Sequence, residues 1–498
     1  MASCGKEFLT VRPIEDLTGN NYWQTKNDAE MFVRGLYSNF RHATMNHAFF
    51  TSTGDFRCAP INGTPGSNGA GAFMNHLRYL RANDLDGLFA QYHGTSRGYG
   101  VNDDYFGFKN IRNWSRFYLL IQKANIAIYE IGRMESDIIS DNDKKQFIAE
   151  AAFMRNLSYF FLVRLFGDVP YYTEAYFSDA VERTPMLEVL ENIYQDMLAH
   201  YQNLPWTYED PTIVGNKAMR GAALALMMHT NMWLAGFSET NKQTYYQRVE
   251  AAGKELMEEN GGAYALLPLE QTKQIFKGRT KEGLFEITQN FNYNELFHLS
   301  APYADYVLRA PYKFGQITRS YIFYDPAFMK KMYPEDATDE RKTFWFADIY
   351  ATNGDFVCLK YSNVFIDENS EDLNPDDNQI VFRYVDAILL RAEALAELER
   401  DDEARNMLNI VRSRANASLV TDGGQDLKDA IWWERVRELL GEGHFFYDLV
   451  RTKKVLNTEY TPATMSVSAY AQRGWTWPID PAAFVNNPFM RPNSYWNN

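Results

Sequence analysis

Residues 379–416 read QIVFRYVDAILLRAEALAELERDDEARNMLNIVRSRAN, and this stretch decides the fold. Val381, Tyr384, Val385, Ile388, Leu389, Ala392 and Leu395 follow the i, i+3, i+4, i+7 series of one helix face. The spacing predicts an amphipathic helix of about five turns at 3.6 residues per turn. The charged run Glu399, Arg400, Asp401, Asp402 interrupts it, and a second helical pattern resumes through Ala404, Leu408, Val411 and Ala415. Two helices joined by so short a break turn back on each other. Ala387, Ala392, Ala394 and Ala396 let a neighbouring backbone approach closely, as the stacked helix pairs of an α-solenoid require. Taken alone, a buried helical hairpin in any all-α protein shows the same pattern.

The surrounding text narrows the choice. VRSRA closes the second helix, ERVRELLGEGHFFYDLVR follows at 434–451, and WPIDPAAFVNNPFMRPNSYW stands at 477–496. Upstream lie WSRFYLLIQKANIAI at 114–128 and AEAAFMRNLSYFFLVRLFGDVPYYTE at 149–174, and Asp339 and Arg341 form a D-x-R pair. In this order the blocks resemble the SusD/RagB family, surface-exposed nutrient-binding lipoproteins of the Bacteroidota outer membrane. The resemblance implies a mainly α fold: a SusD-like body of TPR-like helix-turn-helix pairs with long irregular loops and a few short strands.

A prior of about 150 residues per domain suggests three domains for 498 residues. Helical segments recur without a low-complexity linker, so the expectation is one SusD-like domain over 1–498. Its parts would be a tether at 1–20, helix pairs across 110–260 and 379–455, and ligand-binding loops at 50–108 and 261–378. Aromatics make up 15% of the chain, more than core filling usually needs, which leaves rings for a binding surface. A net charge of −14 without a Lys/Arg cluster argues against nucleic acid and anionic membrane as partners. No run of about 18 apolar residues spans a bilayer. The three cysteines, Cys4, Cys58 and Cys358, do not make a disulfide framework. Ala2, Ser3 and Gly5 around Cys4 resemble a lipoprotein processing site without its apolar region, so the chain is expected to begin near a mature terminus. An acylated Cys4 would attach the protein to the membrane by a lipid anchor only. The plainer reading of Cys4 is a free thiol on a frayed end.

Helical patterns are expected at 23–40, 110–134, 141–166, 185–203, 217–236 and 243–259, the third stopping at Gly167. Thr184, Pro185 and Glu188 read as an N-cap, a first-position proline and an acidic first turn. LFEITQ at 284–289 and FVCLKYSNVFI at 356–366 read as strands. The intervals 50–108 and 261–378 otherwise read as irregular, and recognition is expected on them.

Sugar recognition needs a flat ring against the apolar face of a pyranose, flanked by planar hydrogen-bonding groups. Tyr92, Arg97, Tyr99, Asn102, Asp103, Asp104 and Tyr105 supply that mixture in one loop, and Asn290, Asn292 and Tyr293 in a second. The resemblance supports this pairing of loops, although neither contains the Trp platform common among glycan-binding members. Loop anchoring is the plainer reading for each tyrosine. Asp55 and Arg57 are further candidates, whose plainer reading is a surface ion pair. Trp114, Trp233, Trp432 and Trp433 fall on helical faces and read as core. No H-E-x-x-H, nucleophile elbow, Walker loop or dinucleotide fingerprint occurs, so no catalytic residue, cofactor or metal ligand is assigned. DLNPDDN at 372–378 is rich enough in oxygen for a structural Ca²⁺ but lacks EF-hand spacing.

The resemblance implies a non-enzymatic protein that captures oligosaccharide and delivers it to a SusC-like TonB-dependent transporter. Three alternatives stand beside it: a peptide-binding lipoprotein, as the RagB branch implies, for which acidic loops such as 102–105 would favour cationic peptides; an all-α glycoside hydrolase with a carboxylate pair; and a TPR scaffold that binds only proteins.

Overall fold

The computed structural model describes residues 22–65, 70–90, 106–290, 295–298, 300–313, 317–362, 364–366, 373–375, 377–485 and 487–497. Helix α1 (Lys26–Met45) opens on a capping box. Thr25 Oγ1 accepts from Asp28 N–H at 3.2 Å, and the Asp28 carboxylate accepts from Thr25 N–H at 2.8 Å. Helices α2 (Ser115–Arg133), α3 (Asp141–Phe166), α4 (Met186–His200), α5 (Arg220–Phe237) and α6 (Lys242–Glu258) then follow, each packed on the next. The expected 110–134 helix is broken, because Phe108–Arg112 is a separate short helix and Asn113 Oδ1 caps Ser115 N–H at 2.9 Å. Helix α3 matches its expected span. Residues 149–166 are buried on every side, which makes this the central helix of the body, and it stops at Gly167 with φ +73°.

The start of α4 differs from the sequence reading. Thr184 exchanges backbone hydrogen bonds with Val169 and does not cap, and Pro185 precedes the helix. The first free amide, Met186 N–H, donates instead to Asp168 Oδ1 at 2.7 Å.

The stretch 379–416 also departs from its periodicity. Gln379–Arg383 is a buried strand paired antiparallel with Gly283–Ile287, and helix α7 is Tyr384–Glu397. Val381 therefore belongs to the strand. Ile380, Val381 and Phe382 suit a sheet, and the strand inside LFEITQ supplies the partner edge. Helix α8 (Asp401–Arg414) turns back on α7, and α9 (Gly424–Glu438) packs on both. Helix α7 also lies against α6, so the chain leaves the helical stack after Glu258 and rejoins it beside the helix it left.

The interval between carries short two-stranded ladders, among them Phe346–Ala347 with Val357–Cys358 and Val364–Ile366 with Leu373–Pro375. FVCLKYSNVFI is thus two strands, separated by a tight turn at Leu359–Tyr361. The 50–108 interval is more helical than expected: Thr51–Asp55 is a π turn, and Ala70–Arg81 and Leu85–Ala90 are α-helical.

The core is rich in rings. Phe117 and Phe161 stack at 6.2 Å, Phe40 meets Phe161 at 5.6 Å, and Phe285 meets Phe153 at 5.1 Å. These contacts join α1, α2 and α3 to the Gly283–Ile287 strand, and each buried Phe contributes about 3–5 kcal/mol against truncation to Ala. Trp114, Trp233, Trp432 and Trp433 are buried as expected.

A buried ion network fastens the irregular interval to the helices. Arg341 reaches Asp339 at 2.7 Å, Glu434 at 2.7 Å and Glu438 at 3.0 Å. Arg383 reaches Glu282 at 2.7 Å, Glu438 at 3.1 Å and Glu442 at 2.6 Å, and Lys360 pairs with Glu442 at 2.6 Å. Burial pushes the Glu434 carboxyl up, but the Arg341, Arg437 and Arg412 guanidiniums outweigh it and hold it at about 2.

Candidate functional site

The described ends of the two candidate ligand loops meet at the C-terminal end of α1. The Arg41 guanidinium donates to the Thr288 carbonyl and, at 2.6 Å, to the Glu295 carbonyl, while lying 4.8 Å from the Phe297 ring centre. It thereby clamps the two sides of residues 291–294. Asn290 and Glu295 exchange backbone hydrogen bonds at 3.0 and 2.9 Å, and His298 N–H donates to the Met45 carbonyl at 3.1 Å. On the other side, Ala48 N–H donates to the carbonyl of Phe106, where the described chain resumes after 105. Trp477 lies under both ends of 91–105, with Phe89 at 6.0 Å and Phe108 at 6.4 Å.

A third stretch joins this rim. Gln289 Nε2 donates to the Asp377 carbonyl at 2.8 Å, while Gln289 Oε1 accepts from Phe297 N–H at 3.3 Å. One glutamine therefore holds the stem that precedes 291–294 to the stem that follows 376.

The rim stands on buried groups with displaced titration. Burial holds the His47 imidazole down at about 3, with Arg116 adding to the effect, and both ring nitrogens lack a hydrogen-bond partner among the described residues. Gly107 lies against this ring: a Cβ there would sit 2.1 Å from His47 Cβ, so only glycine fits. Burial raises the Glu286 carboxyl to about 7 against the lowering pull of Asn378 Nδ2, which donates to it at 2.9 Å.

Of the residues singled out from sequence, Asn290 is half-buried at the mouth of the 291–294 segment. Cys4, Tyr92, Arg97, Tyr99, Asn102, Asp103, Asp104, Tyr105, Asn292 and Tyr293 lie outside the described residues. Asp55 and Arg57 need correction, because both are interior. The Asp55 carboxylate accepts the Gly443 amide at 3.0 and 3.1 Å, and burial drives its pKa well above the usual range. Arg57 Nη1 donates to the Trp475 carbonyl at 2.7 Å, Nε donates to Asn83 Oδ1 at 2.9 Å, and the guanidinium lies 4.1 Å from the Phe446 ring centre. They are no surface pair: they tie the start of the chain to its end. The apolar neighbours Phe56 and Cys58 gave that burial away in the sequence.

One cluster of metal-ligand type was not legible. His229, Asp386 and His444 bring ligand atoms within 4.8 Å of one another in the core, from segments far apart in sequence. Asp386 Oδ2 is 2.6 Å from His229 Nε2, and Oδ1 accepts from Arg435 Nη1 at 2.8 Å. Arg435 reaches on to Asp448 at 3.0 Å, which also accepts from Arg451 at 2.7 Å. A guanidinium already supplies the positive charge at this carboxylate, so the group is a structural network and a poor cation site. No helix among the described residues is long and apolar enough to cross a membrane.

Comparison with known proteins agrees with this architecture. The family model described as SusD family matches residues 347–496, and the model described as starch-binding associating with outer membrane matches 89–230. SusD-like protein P2 of Formosa agariphila is 27% identical over 90% of this chain and 93% of its own length. The solved structure of NanU from B. fragilis has a TM-score of 0.72 at 21% identity over 97% of this chain and 99% of its own, a likeness of fold. The crystal structure of a SusD homolog from Bacteroides thetaiotaomicron superposes with a TM-score of 0.85 and shares 39% of its residues, over 95% of this chain and 99% of that one. Identity at that level over 95% of the chain makes the chain a member of the SusD family.

Proposed function

We propose that this protein captures oligosaccharide at the outer face of the outer membrane and passes it to a SusC-like TonB-dependent transporter, without catalysis. The observation that carries this reading is the convergence on α1 of the stems of 91–105, 291–294 and the stretch before Asp377. These are the segments whose sequence supplies Tyr92, Arg97, Tyr99, Asn102, Asp103, Asp104, Tyr105, Asn292 and Tyr293. Segments whose sequence is this rich in rings and planar polar groups suit a sugar face and its hydroxyls. The family description of starch binding and outer-membrane association supports both ligand class and location. In this reading the helix pairs of 110–260 and 379–455 are the scaffold, and Cys4 carries the lipid anchor.

Affinity electrophoresis against plant, microbial and host polysaccharides tests the reading, with a Tyr92→Ala, Tyr99→Ala, Tyr293→Ala variant alongside. Retardation by one polysaccharide, lost in the variant, is the expected result. Retardation that survives moves the site elsewhere. Cleavage of the polysaccharide, seen as new reducing ends, overturns the non-catalytic assignment. If no polysaccharide retards the protein while a cationic peptide binds, the acidic Asn102–Tyr105 run serves peptide capture instead.

A further inference from the structure

Away from the rim, beyond the C-terminal end of α3, Asp168, Glu182 and Arg183 on one side and Arg473, Phe489 and residues 491–494 on the other enclose an open cleft of about 430 Å³. Three arginines line it, Arg183, Arg473 and Arg491, together with Asp168, Glu182 and Phe489. The protein as a whole carries a net charge of −14, so a pocket with an excess of cations runs against the background.

The three guanidiniums are held differently. Arg183 is fixed by neutral acceptors: its Nε donates to the Asp168 carbonyl at 2.6 Å, Nη1 to the Arg491 carbonyl at 2.8 Å, and Nη2 to the Phe166 carbonyl at 2.8 Å. Its charge stays in place while carbonyl oxygens, which carry no full negative charge, satisfy its donors. Arg473 pairs with Asp168 Oδ1 at 2.6 Å, and its side chain is still about a third exposed. Arg491 is exposed and turns Nη1 onto the carbonyls of Pro488 at 2.8 Å and Met490 at 2.7 Å. Its Nε and Nη2 have no partner among the described residues and offer two adjacent N–H groups to the cleft. That fork fits the paired oxygens of a carboxylate or a sulfate.

Beside these cations the Phe489 ring is 56% exposed, an apolar surface that hydration disfavours unless something covers it. A second cleft, of about 230 Å³, is lined by Val181 and Met490, chain neighbours of Glu182 and Arg491, together with Asp179, Tyr172 and Phe177, and the last two rings stack at 4.5 Å. A ring platform next to a guanidinium fork suits a sugar that carries an acidic group: the C–H face lies on the ring and the anion on the fork. An acidic peptide fits less well, because the backbone of Val169 and Thr184 beside the cleft is already paired.

We propose that this cleft is a second saccharide site, separate from the rim, and that it takes anionic sugars through Arg491 and Arg473 with Phe489 as the platform. The proposal stands whether or not the rim binds glycan.

Isothermal titration of the full chain with hexagalacturonate, its carboxyl-reduced neutral counterpart, a sulfated galactan hexasaccharide and hexaglutamate tests it. We expect one of the two acidic saccharides to bind, and which one does distinguishes carboxylate from sulfate. That binding should weaken at least tenfold in Arg491→Gln and again in Phe489→Ala, both surface changes that leave the core intact. It should also weaken between 50 and 500 mM salt, as exposed charge pairing does. The rim variant Tyr92→Ala, Tyr99→Ala, Tyr293→Ala is expected to keep it, which separates this outcome from failure of the rim. Equal binding of the carboxyl-reduced oligomer, equal binding of hexaglutamate, indifference to Arg491→Gln, or no binding of either acidic saccharide each overturns the proposal.

Discussion

Helix α9 serves two buried polar networks that work in different ways. On one face Glu434 and Glu438 meet Arg341, Arg383, Arg412 and Arg414. On another, Arg435 meets Asp386 and Asp448. The first network reaches from the helices into the irregular interval, through Arg341, Lys360 and Glu282. The second stays within the helical stack, linking α5 through His229, α7 through Asp386 and the short Phe445–Arg451 helix through Asp448 and Arg451. Packing positions a helix in a stack without help. An interval of short ladders and turns presents no continuous apolar face, and there directional charge contacts select one docking position. We therefore expect the first network to carry more of the fold than the second.

Arg383→Met should have the largest effect. It strips a cation from three buried carboxylates at once, Glu282, Glu438 and Glu442, and although Arg414, Arg341 and Lys360 still reach them, breaking a buried network at its centre costs about 3–5 kcal/mol. Urea unfolding followed by circular dichroism measures it, and a loss below about 1 kcal/mol would break the comparison. Arg435→Met should fall near the low end, about 3 kcal/mol, because Arg435 serves two buried carboxylates where Arg383 serves three. A larger loss here than at Arg383 would invert the ranking.

Glu286 sharpens the contrast as a buried carboxylate outside both networks, held by the Asn378 side chain and the Arg279 backbone amide. Its folded pKa of about 7 lies above the ordinary 4.5, so between those values the folded state binds more protons than the unfolded one. Its contribution is full below pH 4.5 and is lost as pH rises through 7. Glu286→Gln should therefore gain on the wild type by up to roughly 3 kcal/mol between pH 4.5 and 8. Parallel stability curves for the two proteins over that range would refute the shift. Glu434 has the opposite sign: with a folded pKa of about 2, its contribution is present above 4.5 and lost only as pH falls through 2. The smallest effect belongs to the exposed Arg34–Glu30 pair on α1, where Arg34→Gln should change the unfolding midpoint by less than about 0.5 kcal/mol in ΔG.

These networks mark where sequence reading ran out. Helices α3 and α5 were legible as long, largely apolar runs, the mark of a helix buried on every side. Arg383, Asp386 and Glu438 sit in equally regular text, yet each is buried, and a charged residue on a helix does not reveal whether its partner is water or an arginine a hundred positions away. The strand at 379–383 was missed for a related reason, since its hydrogen bonds go to 283–287, outside any local window. For the site, the loops could be singled out by composition, but their meeting at α1 depends on Arg41, Gln289 and Met45, which carry no local signal. Asp55 and Arg57 misled because their polar character was weighed above their apolar neighbours.

The return of α7 beside α6 has an evolutionary meaning. Tyr264 and Tyr384, near the two ends of the irregular interval, stack at 6.3 Å, so the interval enters and leaves the stack at one point. Such a segment has the geometry of a cassette: it can be replaced without re-threading a helix. The exchange has a lock, however. A donor cassette must bring its own equivalents of Glu282, Arg341 and Lys360 to meet Arg383, Glu434, Glu438 and Glu442, so recombination among relatives should succeed where this charge code is kept and fail where it is not.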